Sequence, residues 1–170
     1  MKTLSTLLLS ALFVLQCHAQ SGYLEEMQQK WSNATEYTLE VARLMPAEGY
    51  DFKPTVEQMS FAEQIIHLSN NINWLATDYL GAEKSESPPN KMATTKDELL
   101  GILEDALNRG ALALRRTEDS RLDEKSDFFA GPMSKRQIIT LMNDHLTHHR
   151  AQAIVYLRLR GISPPRYRGW

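Results

Sequence analysis

The sequence is almost free of cysteine, since Cys17 is the single one among 170 residues. It lies in an N-terminal segment with the pattern of a cleaved signal peptide, so the remaining domain would contain none. A domain without cysteine has no disulfide, no thiolate metal ligand and no cysteine nucleophile. Its stability must therefore come from packing of the core or from a bound metal ion.

The chain also lacks an excess of basic residues. The chain contains 19 Lys and Arg residues and 21 Asp and Glu residues, so its formal net charge is −2. Proteins that bind nucleic acid normally carry a clustered basic surface. No apolar run reaches the roughly 20 residues that a membrane-spanning helix needs. We therefore expect neither a nucleic-acid partner nor a membrane span.

The first 19 residues have the three parts of a secretory signal. Lys2 supplies the positive charge at the start, and Leu7–Leu15 forms an apolar run. The segment ends in Cys17-His18-Ala19, whose first and third residues are small, as is typical before a cleavage site, here after Ala19. We predict a signal peptide at residues 1–19 and a domain at residues 20–170. The domain would be exported to the periplasm or the cell exterior.

A lipid anchor on Cys17 is the less favoured fate of this N-terminus. Gln16 stands directly before the cysteine, where a lipoprotein signal usually has a small residue. Either fate places the domain outside the cytoplasm.

No segment has a convincing strand pattern, whereas four segments have helical ones. Three of these segments begin with Ser or Thr followed three residues later by Glu or Gln, which is the spacing of a capping box. In a capping box these two side chains accept hydrogen bonds from backbone N–H groups that the first turn of a helix leaves free. The boxes are Ser60 to Glu63, Thr95 to Glu98, and Ser134 to Gln137. The predicted helices run over about 22–45, 61–80, 96–117 and 135–160, separated by connections 46–59, 81–95 and 118–133. Long connections favour crossovers, so we predict an all-α four-helix bundle.

Histidines concentrate on the last predicted helix. A seam with alternating spacing of three and four residues, typical of a helix facing a bundle core, comprises Ile138, Met142, His145, His149, Gln152, Tyr156 and Leu159. His145 and His149 lie one turn apart on it, so their rings can converge on one metal ion, while His148 is aimed elsewhere. The alternative is a pair of core histidines satisfied by hydrogen bonds. Leu146 stands where a zincin peptidase has glutamate, which disfavours that class.

A third ligand would have to come from another helix. His67 is the remaining histidine beyond the signal segment. It lies about 120° from the centre of the apolar seam of its helix on an ideal wheel. That angle suits a site in a groove between the second and fourth helices but not one on the bundle axis, and geometry alone leaves its role open.

Several short motifs together resemble the DinB/YfiT-like family, which is regarded as a family of metalloenzymes. They are Met45–Pro46, YDFKPT at 50–55, Ser60–Phe61, QIIH at 64–67, NDHLTHHRAQ at 143–152, Tyr156–Arg158 and GISPP at 161–165. The similarity spans nearly the whole domain. It implies a four-helix bundle with three histidine ligands, which map onto His67, His145 and His149.

Three imidazoles leave coordination positions open for water or a substrate, as in catalytic rather than structural sites. We therefore expect one divalent metal ion, with zinc, nickel, manganese and iron not distinguished. Metal-dependent hydrolysis of an unknown small molecule is the favoured activity. The resemblance also implies a thiol-transferase-like alternative, although small thiols are scarce outside the cytoplasm, and a non-catalytic metal or ligand-binding module is a further alternative.

Four further residues are weaker candidates for the site. Glu63 lies one turn before His67 and is the nearest carboxylate for catalysis, but its capping box already explains it. Trp74, Gln152 and Tyr156 would line a pocket, with core packing or a core hydrogen bond as the alternative for each. The catalytic base stays unknown, and a homodimer is left open.

Overall fold

The computed structural model describes residues 22–84 and 95–170 in full and the backbone of residues 2–21. Four α-helices account for most of this part: α1 is Lys2–Leu44, α2 is Phe61–Leu80, α3 is Lys96–Arg116 and α4 is Lys135–Leu159. A short 3-10 turn at Ala47–Gly49 follows α1, and another at Asp119–Arg121 follows α3. The all-α prediction is confirmed.

The helix starts are fixed by the predicted caps. Ser60 Oγ accepts from the Glu63 backbone N–H while the Glu63 carboxylate accepts from the Ser60 N–H at 2.6 Å. Ser134 and Gln137 form the same reciprocal pair at α4, and the Thr95 hydroxyl accepts from the Glu98 N–H at α3. These bonds satisfy donors that the first turn of a helix leaves free, so each start is determined locally.

The ends of the helices are set by equally local chemistry. Helix α2 stops where predicted because Gly81 adopts φ +74°, a left-handed conformation that glycine takes without a steric penalty. Helices α3 and α4 each end one residue before the predicted position. The prolines at 88 and 89 that we assigned to the α2–α3 connection lie outside the described residues.

Two features differ from the sequence expectation. Helix α1 begins at Lys2 rather than near Gly22, because residues 2–21 contain no glycine or proline to interrupt a helix rich in leucine and alanine. A two-residue antiparallel pairing joins Lys125–Ser126 (β1) to Met133–Ser134 (β2) just before α4. Such a short pairing has no periodic signal in sequence.

In the bundle, α1 lies diagonally opposite α2, and α3 lies diagonally opposite α4, while the consecutive helices α2 and α3 are neighbours. Helix α2 contacts α3 and α4, and α1 contacts the same two helices. The core between them is apolar and includes Trp31, whose indole N–H donates to Leu107 O at 3.0 Å. Gly110 permits this approach, since a Cβ there would lie 2.3 Å from the Trp31 ring. Within the described part of the chain, no helix has the length and apolarity that a membrane crossing requires.

The buried face of α4 is rotated from the predicted seam. Ile138, Met142 and Tyr156 are buried as expected, but Leu159 is 58% exposed. Leu146 and Ala153 are fully buried instead. His145 therefore lies at the edge of the core beside α2 rather than at its centre.

Candidate metal centre

His67, His145 and His149 form one cluster in the groove between α2 and α4. The ring centroids are 5.1 Å apart for His67 and His145, 4.6 Å for His67 and His149, and 4.4 Å for His145 and His149. One nitrogen from each ring lies within 4.8 Å of the others. This groove position is the one that the sequence favoured, because His67 lies well away from the centre of the apolar seam of its helix. Three histidines so arranged could bind a metal ion.

The surroundings keep two of the three imidazoles neutral. Burial, followed by the nearby rings of His67 and His148, lowers the pKa of His145 to about 4. Burial, followed by the rings of His145, His67 and His148, lowers the pKa of His149 to about 4 as well. A neutral imidazole has the lone pair that a metal ion needs.

We expect the metal-free protein to lose stability as the pH falls from about 6.5 to about 4. Histidines of the unfolded chain have ordinary pKa values near 6.5 and bind protons in that window. His145 and His149 of the folded protein stay unprotonated there, because their pKa values are about 4. Each could contribute at most about 1.4 kcal/mol per pH unit, and His145 less because it is partly exposed. Urea denaturation between pH 4 and 7.5 measures the fall. His145→Gln should make it shallower, and an unchanged slope in that variant would contradict the assignment.

Gln64 orients His149 and was not singled out from the sequence. Its side-chain oxygen accepts from His149 Nδ1 at 2.5 Å, which directs the Nε2 lone pair of His149 away from the contact. Gln64 Nε2 donates in turn to Gln152 Oε1 at 2.7 Å and to Tyr156 Oη at 3.3 Å. The signal available in sequence was a polar residue on the buried face of α2, where Gln64 is 2% exposed.

We expect Gln64→Ala to weaken metal binding by about 10- to 100-fold, the usual cost of losing a partner that orients a ligand. Gln64→Glu is the matched control, because it keeps an oxygen that can accept from His149 Nδ1. Competition with a chromophoric chelator gives both affinities. Parent-like binding by Gln64→Ala would show that the contact with His149 does not position the ring.

His148 lies outside the cluster, as its wheel position predicted. It is exposed, and its Nε2 accepts a 2.7 Å hydrogen bond from Gln152 Nε2. The hydrogen-bonded chain therefore runs from His149 through Gln64 and Gln152 to His148.

Replacing His148 by alanine should leave metal affinity within about threefold of the parent, since among the described residues its ring belongs to no group of three close ligand atoms and does not hydrogen-bond to any of the three clustered histidines. Isothermal titration with zinc and with nickel would measure it. A loss as large as that of His149→Ala would show that the wrong neighbour had been assigned as the ligand.

A cavity of about 390 Å³ opens beside His67. It is lined by Lys53, Val56, Glu57, Gln58, Met59, Glu63, Ile66, His67 and Asn70. Most of these residues come from the connection between α1 and α2, which the Ala62 N–H and Phe61 N–H anchor to Tyr50 O and Phe52 O at 3.0 and 3.1 Å. The connection therefore forms one wall of a cavity that His67 of the cluster also lines.

Glu63 lines this cavity but is already engaged. The Ser60 backbone N–H, and then Lys53 at 3.0 Å, lower the pKa of its carboxyl group. It stays ionised at neutral pH, which disfavours it as a proton donor. Its role as a cap is shown, whereas its role in catalysis stays a prediction.

The three predicted pocket residues lie in different places. The Tyr156 hydroxyl donates to Met59 O at 2.8 Å and ties α4 to the cavity wall. Gln152 joins the hydrogen-bonded chain behind His149. Trp74 stacks on Phe128 at 5.5 Å and packs edge-on against Tyr79, in an aromatic cluster outside the described lining of the cavity.

Comparison with known proteins relates the chain to one family. The model of the DinB family matches residues 18–169. The YjoA protein of Bacillus subtilis (strain 168) is 25% identical over 128 residues, which cover 73% of this chain and 82% of that protein.

Solved structures show the same fold. A DinB-like protein from Bacillus cereus ATCC 10987 has a TM-score of 0.74 at 20% identity, covering 85% of this chain and 97% of its own. Bacillus subtilis YjoA has a TM-score of 0.69 at 21% identity, covering 84% and 96%. A DinB-family member from Exiguobacterium sibiricum has a TM-score of 0.62 at 19% identity, covering 82% and 92%. Since the family model spans most of the sequence, the chain belongs to the DinB family.

Proposed function

We propose that the protein is an exported metal-dependent hydrolase that acts on a small substrate through His67, His145 and His149. The observation that carries the proposal is the set of three histidine nitrogens within 4.8 Å of one another, beside an open cavity. Export is inferred from the N-terminal pattern of residues 1–19. The family match begins at residue 18, close to the proposed cleavage after Ala19.

The residues present suit a divalent ion. His149 Nδ1 is engaged by Gln64, which leaves Nε2 as its ligand atom. His145 Nδ1 is buried without a hydrogen-bond partner, the condition of a nitrogen that lacks its acceptor or its metal. Zinc, nickel, manganese and iron all accept imidazole, so the donor set does not choose among them.

A bound ion would supply Lewis-acid activation of water or of a substrate oxygen. The protein's own residues perform the other tasks. Gln64 holds the His149 ring, and Tyr156 fixes the cavity wall through Met59 O. The Lys53–Glu63 ion pair lines the cavity and offers polar contacts to a substrate. Glu57, an exposed carboxylate in the same lining, is available to move a proton.

A non-catalytic metal or ligand-binding module is the second candidate. The engagement of Glu63 in a cap and an ion pair favours it, because the carboxylate nearest His67 along the helix is not free to act as a base.

A panel of activated esters, phosphate esters and amides, assayed with each of the four metals, separates the two functions. The hydrolase proposal expects turnover with at least one metal, loss of at least 100-fold in kcat/KM for His67→Ala, and near-parent activity for His148→Ala. Turnover that survives equally in His67→Ala would contradict it. Metal binding without turnover on any class would favour the binding module.

A further inference from the structure

The chain of hydrogen bonds behind His149 has a direction. His149 Nδ1 donates to Gln64 Oε1 at 2.5 Å, and Gln64 Nε2 donates to Gln152 Oε1 at 2.7 Å. Gln152 Nε2 then donates to His148 Nε2 at 2.7 Å. In this direction the ring proton of neutral His149 is on Nδ1, so the Nε2 lone pair is free for a metal ion. The opposite direction would place that proton on Nε2 and leave no lone pair there.

The side chains in this chain do not fix its direction by themselves. An amide reverses when its oxygen and nitrogen exchange places, and a neutral imidazole reverses when its proton moves to the other nitrogen. If Gln64 and Gln152 both turned over, they would still be hydrogen-bonded to each other. His148 at the far end is exposed, so water can satisfy either of its tautomers. The direction must therefore be set by a group beside the chain.

Tyr156 supplies a contact that cannot be reversed. Its hydroxyl donates to the backbone oxygen of Met59 at 2.8 Å, and a carbonyl oxygen only accepts. The same hydroxyl oxygen accepts from Gln64 Nε2 at 3.3 Å. Reversal of Gln64 would set two oxygens against each other or cost Tyr156 its bond to Met59. Edge-on packing against Phe52, with centroids 6.0 Å apart, holds the buried Tyr156 ring in this position.

We propose that Tyr156 is a positioning residue of the metal centre, which fixes the direction of the Gln64 amide and thereby selects the tautomer of His149 that is protonated on Nδ1. The inference rests on the proposed function, in which His149 Nε2 is a ligand atom. It connects the cavity wall, to which Met59 belongs, with a metal ligand. Without the Tyr156 hydroxyl, both directions of the chain satisfy the same groups, so His149 would divide between its two tautomers.

The tautomer of His149 in the metal-free protein tests the inference directly. Two-bond proton–nitrogen NMR correlation of the histidine-labelled protein at pH 7.5 shows which ring nitrogen carries the proton, and His149→Gln identifies the signals. We expect the proton on Nδ1 in the parent and a mixture of tautomers in Tyr156→Phe. Tyr79→Phe, which removes a hydroxyl from α2 outside this chain, should keep the parent tautomer. A proton on Nε2 in the parent, or an unchanged tautomer in Tyr156→Phe, would overturn the proposal.

Zinc affinity should follow the tautomer. Tyr156→Phe should weaken binding by about 3- to 10-fold, less than the usual loss for a residue that contacts the ligand itself. In the Gln152→Glu background, Tyr156→Phe should no longer weaken binding, because a carboxylate only accepts and turns Gln64 Nε2 toward itself. Comparison within that background cancels the effect of the added charge on zinc.

Competition with a chromophoric chelator gives the four affinities of this cycle. An equal loss in both backgrounds would mean that Tyr156 acts through packing alone, and it would overturn the proposal. A parent that binds no zinc would contradict the proposed function instead. In that case the tautomer of His149, measured without metal, still decides the role of Tyr156.

Discussion

Replacing either His145 or His149 by alanine should reduce the bound metal from about one ion per chain to none detectable. The centroids of the two rings lie 4.4 Å apart on one helix, and each ring supplies one of three nitrogens that lie within 4.8 Å of one another. Two remaining ligands would hold an ion far more weakly, since binding energy depends on the ligand count. Elemental analysis after reconstitution with zinc, nickel or manganese and desalting gives the stoichiometry.

His148→Ala is the matched control, because it removes a histidine from the same turn of the same helix. It should retain about one ion per chain. A parent protein that holds no ion after all three reconstitutions would contradict the site altogether. A His145→Ala variant that keeps a full equivalent would remove that residue from it.

Metal should raise the melting temperature of the parent by roughly 5–10 °C at 100 times the dissociation constant. Ligand binding at that excess stabilises the folded state by about 2.7 kcal/mol, and each 1 kcal/mol shifts a domain of this size by about 2–4 °C. The ion would join α2 to α4, because His67 lies on one helix and the other two ligands on the second. His67→Ala breaks that connection, and the rise should shrink to roughly 1–2 °C.

Thermal melts at pH 7.5, with and without metal, make the comparison for the parent, His67→Ala and His148→Ala. The His148→Ala variant should show the full rise. An equal rise in His67→Ala would mean that His67 is not a ligand, although its ring lies 4.6 Å from that of His149.

The parts of the fold that the sequence predicted correctly are those decided within one or two turns. Helix α2 begins after Ser60 and ends before Gly81 as expected, because a capping box and a left-handed glycine act on their own neighbours. The predicted start of α1, near Gly22, was wrong because we assumed that the first helix begins just after the predicted cleavage site, whereas α1 begins at Lys2. The continuity of the backbone helix depends only on local propensity.

The sequence could predict which histidines are candidates for the site, but not how the helices bring them together. The spacing of His145 and His149 on one helix was visible in sequence. Whether His67 joins them depends on how α2 packs beside α4, a contact between residues distant in the chain. Gln64 escaped notice for the same reason, since its partner His149 is 85 positions away. The rotation of the α4 core face, with Leu159 exposed, likewise follows from tertiary packing rather than periodicity.

A crystal structure of the zinc- or nickel-loaded protein, with anomalous diffraction recorded at the metal edge, tests the central claim most directly. We expect one strong anomalous peak in the groove between α2 and α4, within bonding distance of one nitrogen each of His67, His145 and His149, with at least one coordination position facing the cavity beside Lys53 and Glu63. A peak that His148 ligates in place of one of these three, or no peak in the groove at full metal loading, would contradict the account.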